Sequence, residues 1–340
     1  MPELYPLLLS PEFHERVWGS RNLAPIFDRV VPKDDAPIGE AWLTGDACKV
    51  ANGPLKGKSL KELSENLGEK LIGSRAPDKK RFPLLIKFLF PKEKLSVQVH
   101  PDDDGAWQIG QSCGKTECWY VLKADPGAQV GLGLVPGTTR EQLERAISET
   151  RAEKLMNWID LYAGDLIYVD AGTVHAIGPG SVIVETQQNS DTTYRLYDYG
   201  RPRELHVEKG LAAAKEKTRA GKIAPNPLAN GDMRLVASPC FVLEKWRLEK
   251  PRELATSYAS PTVLVALEGC GVVDSPGNQP VTFTKGEAVV IPAALGKFEL
   301  RPQWQLECLS ARLPATKIEE PEGKIGFASI PVLNRKLSRA

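Results

Sequence analysis

Two histidines, His100 and His175, and one acid, Glu117, are the residues whose types suit metal chemistry in this chain. The stretch Lys94-Leu95-Ser96-Val97-Gln98-Val99-His100-Pro101-Asp102 alternates strictly. That period places Ser96, Gln98 and His100 on one wall of a strand and Leu95, Val97 and Val99 on the other. An apolar back with a hydrogen-bonding front suits a small antiparallel barrel whose lumen holds a site. The competing expectation is a surface strand with His100 facing water, which holds if nothing else meets that ring. Further on, Lys115-Thr-Glu117-Cys-Trp119-Tyr-Val121 alternates again, so Lys115 and Glu117 share a face. His175 lies in Asp170-Ala-Gly-Thr-Val-His-Ala-Ile-Gly178, a glycine-framed turn able to present a ring nitrogen at a barrel mouth. Two histidines, a glutamate, an open position and Gln98 as a further oxygen donor match a catalytic zinc set better than a closed structural one. Nitrogen and oxygen ligands without thiolate also permit iron, manganese or cobalt. On spacing alone, two unrelated histidines in separate segments are the alternative. Glu185, Asp191 and Arg195 follow around a polar turn, and carboxylates with an arginine beside a metal suggest an anionic substrate and proton transfer. A salt-bridged hairpin is the plainer account of the same residues. Lys87 interrupts the apolar run from Arg81 to Phe90, so it either snorkels to an edge or faces a polar lumen.

The elements that must hold these side chains are mainly strands. Leu60, Leu63, Leu67 and Leu71 recur at helical spacing after Ser59, which predicts an amphipathic helix over about 58–72. Thr139 before Glu141-Gln142-Leu143, with Ile147, Leu155, Trp158 and Ile159 beyond, predicts a helical insert over about 138–161. Ile223-Ala-Pro-Asn-Pro-Leu-Ala-Asn-Gly231 is rich in turn formers and marks a linker. An internal echo bears on architecture: Gly164-Asp-Leu-Ile-Tyr-Val-Asp-Ala-Gly-Thr-Val-His175 aligns with Gly286-Glu-Ala-Val-Val-Ile-Pro-Ala-Ala-Leu-Gly-Lys297. Turn-strand-turn units of this kind recur in double-sheet jelly rolls of the cupin type. The expected fold is therefore mainly β, two cupin-like jelly-roll barrels with a small helical insert. Residues 1–222 form the metal-binding domain, 223–231 the linker and 232–340 a second barrel, which carries Lys297 where the first has His175 and so lacks the metal site.

Whole-chain properties narrow the classes of function. The 340 residues suit two domains. Lys+Arg 44 against Asp+Glu 43 leaves a net charge of +1, so no global field favours nucleic acid or an anionic membrane. Six cysteines are scattered without a CxxC pair behind an N-terminus lacking a charged-then-apolar leader, which predicts free thiols in the cytoplasm. No apolar run approaches the length of a membrane span. His14 and His206 fall in no ligand pattern and are expected to be structural or at the surface.

Four ordered motifs then carry a resemblance. Ser96-Val-Gln98-Val-His100-Pro-Asp102, Gly114-Lys115-Thr-Glu117, Gly172-Thr-Val-His175-Ala and Asn189-Ser-Asp191-Thr-Thr-Tyr-Arg195 resemble those of the type I mannose-6-phosphate isomerases. Tyr197-Asp-Tyr-Gly-Arg201 with Arg203-Glu-Leu-His206 is similar to the short bacterial branch. The similarity spans about 13–207 and thins beyond Gly231. It implies interconversion of mannose 6-phosphate and fructose 6-phosphate through an enediolate. It also implies one zinc held by His100, Glu117 and His175, with Gln98 matching a fourth ligand of longer members. Arg195 falls on the family's active-site arginine and Lys115 on a substrate-site lysine. Lys87 and Ser96 join Lys115 as expected substrate contacts, while Glu185 and Asp191 match two acids, either of which is a candidate for proton transfer. The expected partner is a small sugar phosphate, bound by a monomer or homodimer, with no nucleic acid and no membrane. Another metal-dependent cupin enzyme, or a sugar-binding cupin without catalysis, are the rival expectations.

Overall fold

Period-two patterning decides which wall each side chain faces. The computed structural model describes residues 4–27, 36–316 and 325–326. Among these, eight strands form one antiparallel sheet in the order Glu12–Ser20, Ile38–Trp42, Leu84–Leu89, Ser181–Gln188, Glu117–Ala124, Leu166–Val169, Gly221–Ile223 and Ile325–Gly326. A five-stranded sheet runs Tyr194–Tyr197, Val97–Val99, His175–Ile177, Gln129–Leu134 and Met156–Asp160. Together they enclose the first jelly-roll lumen. Every residue of Leu84–Leu89 and of Ser181–Gln188 is buried, as expected of strands covered on both faces. Leu84, Ile86 and Phe88 pack outward with Leu243, Val265 and Val290 of the second barrel. Leu89, Trp119, Val121 and Ile183 instead pack inside the first lumen.

The outer face of the five-stranded sheet is closed by short helices. Val97, Val99, Val174, Ala176 and Leu196 meet Leu143 and Ile147 from helix Arg140–Ser148 and Leu211 from helix Val207–Ala213. With Val97 and Val99 committed to that apolar layer, Gln98 between them faces the lumen. Helix Arg140–Ser148 begins at a capping box in which the Thr139 hydroxyl accepts the Gln142 N–H and the Gln142 side chain accepts the Thr139 N–H. Helix Leu60–Leu67 has the same device at Ser59 and Glu62. Each box satisfies two backbone donors that helix geometry leaves free.

A nine-stranded sheet holds the rest, with Thr262–Asp274 and Lys297–Arg312 at its centre. Its lumen is filled by Trp246, Leu264, Phe283, Val289, Leu300 and Leu306. The first strand of the chain, Leu7–Leu9, belongs to this sheet, pairing with Ala288–Ile291. The echo recurs in three dimensions. Leu166–Val169 and Ala288–Ile291 are both strands, entered through Gly164 and Gly286 at φ 91° and 86°, a left-handed conformation that glycine adopts without strain. Four residues before its histidine or lysine, each echo turns; His175 then opens a strand, buried, and Lys297 opens another, exposed.

Two local expectations are corrected. The helical insert ends early: after helix Arg140–Ser148 and the 3₁₀ turn Ala152–Leu155, Met156–Asp160 is a strand paired with Gln129–Leu134. Met156 and Trp158 face the helical layer while Ile159 and Leu161 face the lumen, and apolar residues on both faces imitate a helical spacing. The alternation proposed from Lys94 also starts later, at Val97. Leu95 donates its N–H to the Ile177 carbonyl at 2.8 Å but packs with Trp18 and Leu89 in the lumen, not with Val97 and Val99.

Candidate metal and sugar-phosphate site

One group of buried ligand residues stands out among those described: His100, Glu117 and His175, whose ligand atoms all lie within 4.8 Å of one another. Three segments deliver them. His100 follows strand Val97–Val99, Glu117 opens Glu117–Ala124, and His175 opens His175–Ile177 opposite Gln98 in register. His100 Nδ1 lies 2.9 Å from the Thr192 carbonyl and His175 Nδ1 lies 2.9 Å from the Thr173 carbonyl. A carbonyl can only accept, so each Nδ1 carries the proton and each Nε2 keeps its lone pair. These lone pairs face Glu117, with His100 Nε2 at 3.6 Å from Oε2 and His175 Nε2 at 3.3 Å from Oε1. Hydrogen bonds behind the rings are the usual means of orienting histidine ligands.

The cluster suits a cation on three counts. Burial, reinforced by Lys115 and the neighbouring His175, holds His100 well below its ordinary range. Burial likewise lowers His175 to about 4, so both rings are neutral ligands at pH 7. Glu117 Oε2 is buried and accepts no hydrogen bond. Finally, the Lys115 ammonium lies 3.0 Å from His100 Nε2 and 3.1 Å from Glu117 Oε2, so positive charge is already accommodated at this point. A divalent ion with nitrogen and oxygen ligands fits these residues. Because the folded pKa of His175 is lowered from 6.5 to about 4, a ring proton competes with metal only as pH falls toward the lower value. Chelator competition across pH 7 to 4 should therefore show metal retained through 6.5 and released nearer 4. Release centred at 6.5 would mean that these rings titrate as solvent-exposed imidazoles.

Gln98 turns its amide nitrogen toward His175 Nε2 at 3.2 Å, and its oxygen accepts from Ser96 Oγ at 3.1 Å. The arrangement supports the ring; an oxygen ligand would need the amide turned over. Gln98 and Ser96, with Lys87, Lys115, Glu117, Glu185, Asp191 and Arg195, line one cavity of about 380 Å³. That volume falls in the range of small-molecule sites. Lys87 is buried, facing the lumen, directly opposite Glu185 in register. Its Nζ lies 3.4 Å from Glu185 Oε2 and 3.6 Å from Glu40 Oε1. Burial works to lower the Lys87 pKa, but Glu185 and Glu40 outweigh it and raise the value above the ordinary one. Glu185 Oε1 lies 3.7 Å from Lys115 and accepts no hydrogen bond. Burial, with the nearby negative charge of Glu117, pushes Glu185 up to about 8. Asp191 is exposed at the mouth, so the two candidate acids occupy different depths. Arg195 is partly buried and pairs in register with Gln98, its Nη1 donating to the Glu204 carbonyl at 2.7 Å.

Among the lining residues not anticipated from sequence are Arg16, Trp18, Glu40 and Arg203. Glu40 offered a signal, an acid inside the otherwise apolar Ile38–Trp42. Burial alone would raise its pKa, yet Lys87 and Arg16 outweigh that and hold it at about 2. His14 packs at a tilt against Trp42 with centroids 4.3 Å apart, and His206 Nδ1 accepts the Arg195 N–H at 3.3 Å.

The mannose-6-phosphate isomerase ManA of Bacillus subtilis is 36% identical over 324 residues, covering 91% of this chain and 99% of the relative. The chain belongs to the type I phosphomannose isomerases. The family model described as phosphomannose isomerase type I, catalytic domain, matches residues 7–120. A mannose-6-phosphate isomerase of Streptococcus mutans is 35% identical over 311 residues, 86% of this chain and 94% of the relative. Among solved structures, the Bacillus subtilis mannose 6-phosphate isomerase superposes with a TM-score of 0.78 at 32% identity, covering 90% of this chain and 99% of that one. A phosphomannose isomerase from Salmonella typhimurium shares the fold at only 16% identity, with a TM-score of 0.73 over 89% and 98% of the two chains.

Proposed function

We propose that this chain interconverts mannose 6-phosphate and fructose 6-phosphate, using a zinc ion held by His100, Glu117 and His175. The observation that carries the reading is that Glu117, which joins His100 and His175 in the buried ligand group, lines the same cavity as Glu185, an acid that burial has made able to hold a proton near neutrality. Aldose–ketose isomerisation moves a proton between adjacent carbons, and its barrier lies in the enediolate. When bound, a divalent metal supplies Lewis-acid polarisation of the reacting oxygens. Glu185, buried beside the ligand group, takes and returns the proton, since a base is most effective with its pKa near the working pH. Asp191, exposed at the mouth, is assigned no proton. Lys87 and Lys115 present ammonium groups to the sugar oxygens, and Ser96, which lines the cavity with them, fixes the Gln98 amide against the His175 ring. Arg195 adds positive charge as the enediolate develops.

In this reading residues 1–222 carry the chemistry, 223–231 are the linker and 232–340 the supporting part, although strand Leu7–Leu9 pairs into the second sheet and Ile325–Gly326 into the first. We place the protein in the cytoplasm as a monomer or homodimer. Among the described residues no helix is long and apolar enough to cross a membrane.

The reading is tested by following fructose 6-phosphate formation from mannose 6-phosphate with the purified chain. Arg195→Ala should lower kcat/KM by about 10²- to 10³-fold, the usual cost of removing one group that stabilises developing negative charge. Circular dichroism should show it folded. A near-normal rate in that variant would remove Arg195 from the chemistry.

A further inference from the structure

Trp42, Lys87 and Glu185 stand opposite one another in register across three neighbouring strands of the eight-stranded sheet, so their side chains leave it on the same face. Glu40, two positions before Trp42 on the same strand, shares that face. Its carboxylate is divided between two sides. Oε2 accepts the Trp42 indole N–H at 2.9 Å and an N–H of Arg16 Nη2 at 2.7 Å, while Oε1 faces the Lys87 ammonium at 3.6 Å. That ammonium in turn lies 3.4 Å from Glu185 Oε2 and 5.7 Å from the centroid of the Trp42 ring. Glu40, Lys87 and Glu185 line the cavity, and Trp42 does not. The indole therefore meets the cavity through the carboxylate and the ammonium beside it.

A lysine ammonium is a point charge on a flexible four-carbon stem, so the groups around it set its direction. Lys87 is buried with a carboxylate on either side, and the position of each carboxylate decides where its charge rests. Glu185 is fixed within a strand paired on both edges. Glu40 is fixed by its two donors, since an oxygen held by both an indole N–H and a guanidinium leaves the other oxygen one orientation. Without the indole, Oε2 keeps only Arg16, whose side chain is 30% exposed, and the carboxylate can turn away from Lys87. We infer that Trp42 is a positioning residue of the reaction: its indole N–H fixes the Glu40 carboxylate, which holds the Lys87 ammonium at the place where it meets the substrate. The inference rests on the isomerase reading above and adds to it a residue outside the cavity that sets the geometry within.

The test compares metal-loaded wild type, Trp42→Phe and Trp42→His for kcat/KM on mannose 6-phosphate. Trp42→Phe keeps a large aromatic ring and removes the donor. Trp42→His is smaller, but its Nε2–H stands as many bonds from Cγ as the indole N–H does, so the donor returns. Trp42→Phe should lower kcat/KM by about 10- to 100-fold, the range for a lost hydrogen bond to a charged group, and Trp42→His should stay within about threefold of wild type. The opposite order, with phenylalanine the better replacement, would make Trp42 a packing residue and overturn the inference. Added to Glu40→Gln, Trp42→Phe should cost less than about twofold more, because the contact it serves is already lost. An undiminished further loss overturns the route through Glu40. Should Trp42→Phe fold poorly, the histidine variant decides alone: a loss beyond about 10-fold in folded protein overturns the inference. If the wild type does not turn over mannose 6-phosphate, the isomerase reading fails first. Crystal structures of wild type and Trp42→Phe then still decide the positioning, displacement of the Glu40 carboxylate and the Lys87 ammonium supporting it and unmoved groups overturning it.

Discussion

Glu185→Gln lowers kcat for mannose 6-phosphate by about 10²- to 10⁴-fold, the range typical of a lost general base, and leaves metal content unchanged. The substitution keeps the shape of the side chain and removes its capacity to carry a proton. Both neighbouring lysines retain a carboxylate, Lys87 through Glu40 and Lys115 through Glu117, so the cavity is not left with an unpaired buried ammonium. Removing a carboxyl that burial has pushed up to about 8 also relieves a desolvation cost, so the melting temperature should hold or rise. Steady-state rates and metal analysis on the same preparation check both halves. A normal rate in the folded variant would transfer the proton-transfer role to Asp191, despite its exposure at the mouth.

What could be read from the sequence and what could not divide along physical lines. Gln98, His100 and Glu117 were legible because alternation assigns a face locally, without knowledge of distant partners, and His175 because glycines frame its turn. Depth was not legible. Glu185 and Asp191 stand six positions apart in similar polar surroundings, yet one is buried at the cross-strand pair with Lys87 and the other is exposed, which only the sheet pairing decides. Met156–Asp160 was misread because apolar residues on both faces of a strand produce a spacing that a helix also satisfies. Leu95 was placed on the wrong wall because alternation was extended past the start of its strand. Glu40 and Arg203 were passed over for a related reason, since each matters through a partner that pairing or folding-back supplies. Lys87 meets Glu40 from the neighbouring strand, and Asp198 meets Arg203 across a turn through Gly200 at φ 80°. The echo between Gly164 and Gly286 was legible because left-handed glycines punctuate both copies, while the second copy's lumen closes with Trp246 and Phe283 where the first keeps its ligands.

The second large effect is loss of metal. The His100, Glu117 and His175 donors are neutral or anionic and buried, and without a cation the carboxylate has only Lys115 to answer it. Stripping the metal should abolish isomerisation while leaving the strands intact, because the apolar layers around Phe88, Trp119 and Val97 do not depend on the site. The most direct measurement is therefore fructose 6-phosphate formation from mannose 6-phosphate before chelation, after it, and after one equivalent of zinc is restored. Activity present, then absent, then recovered at about one metal per chain is the predicted result. Turnover that survives complete removal of metal, or tightly bound zinc with no turnover, would contradict it.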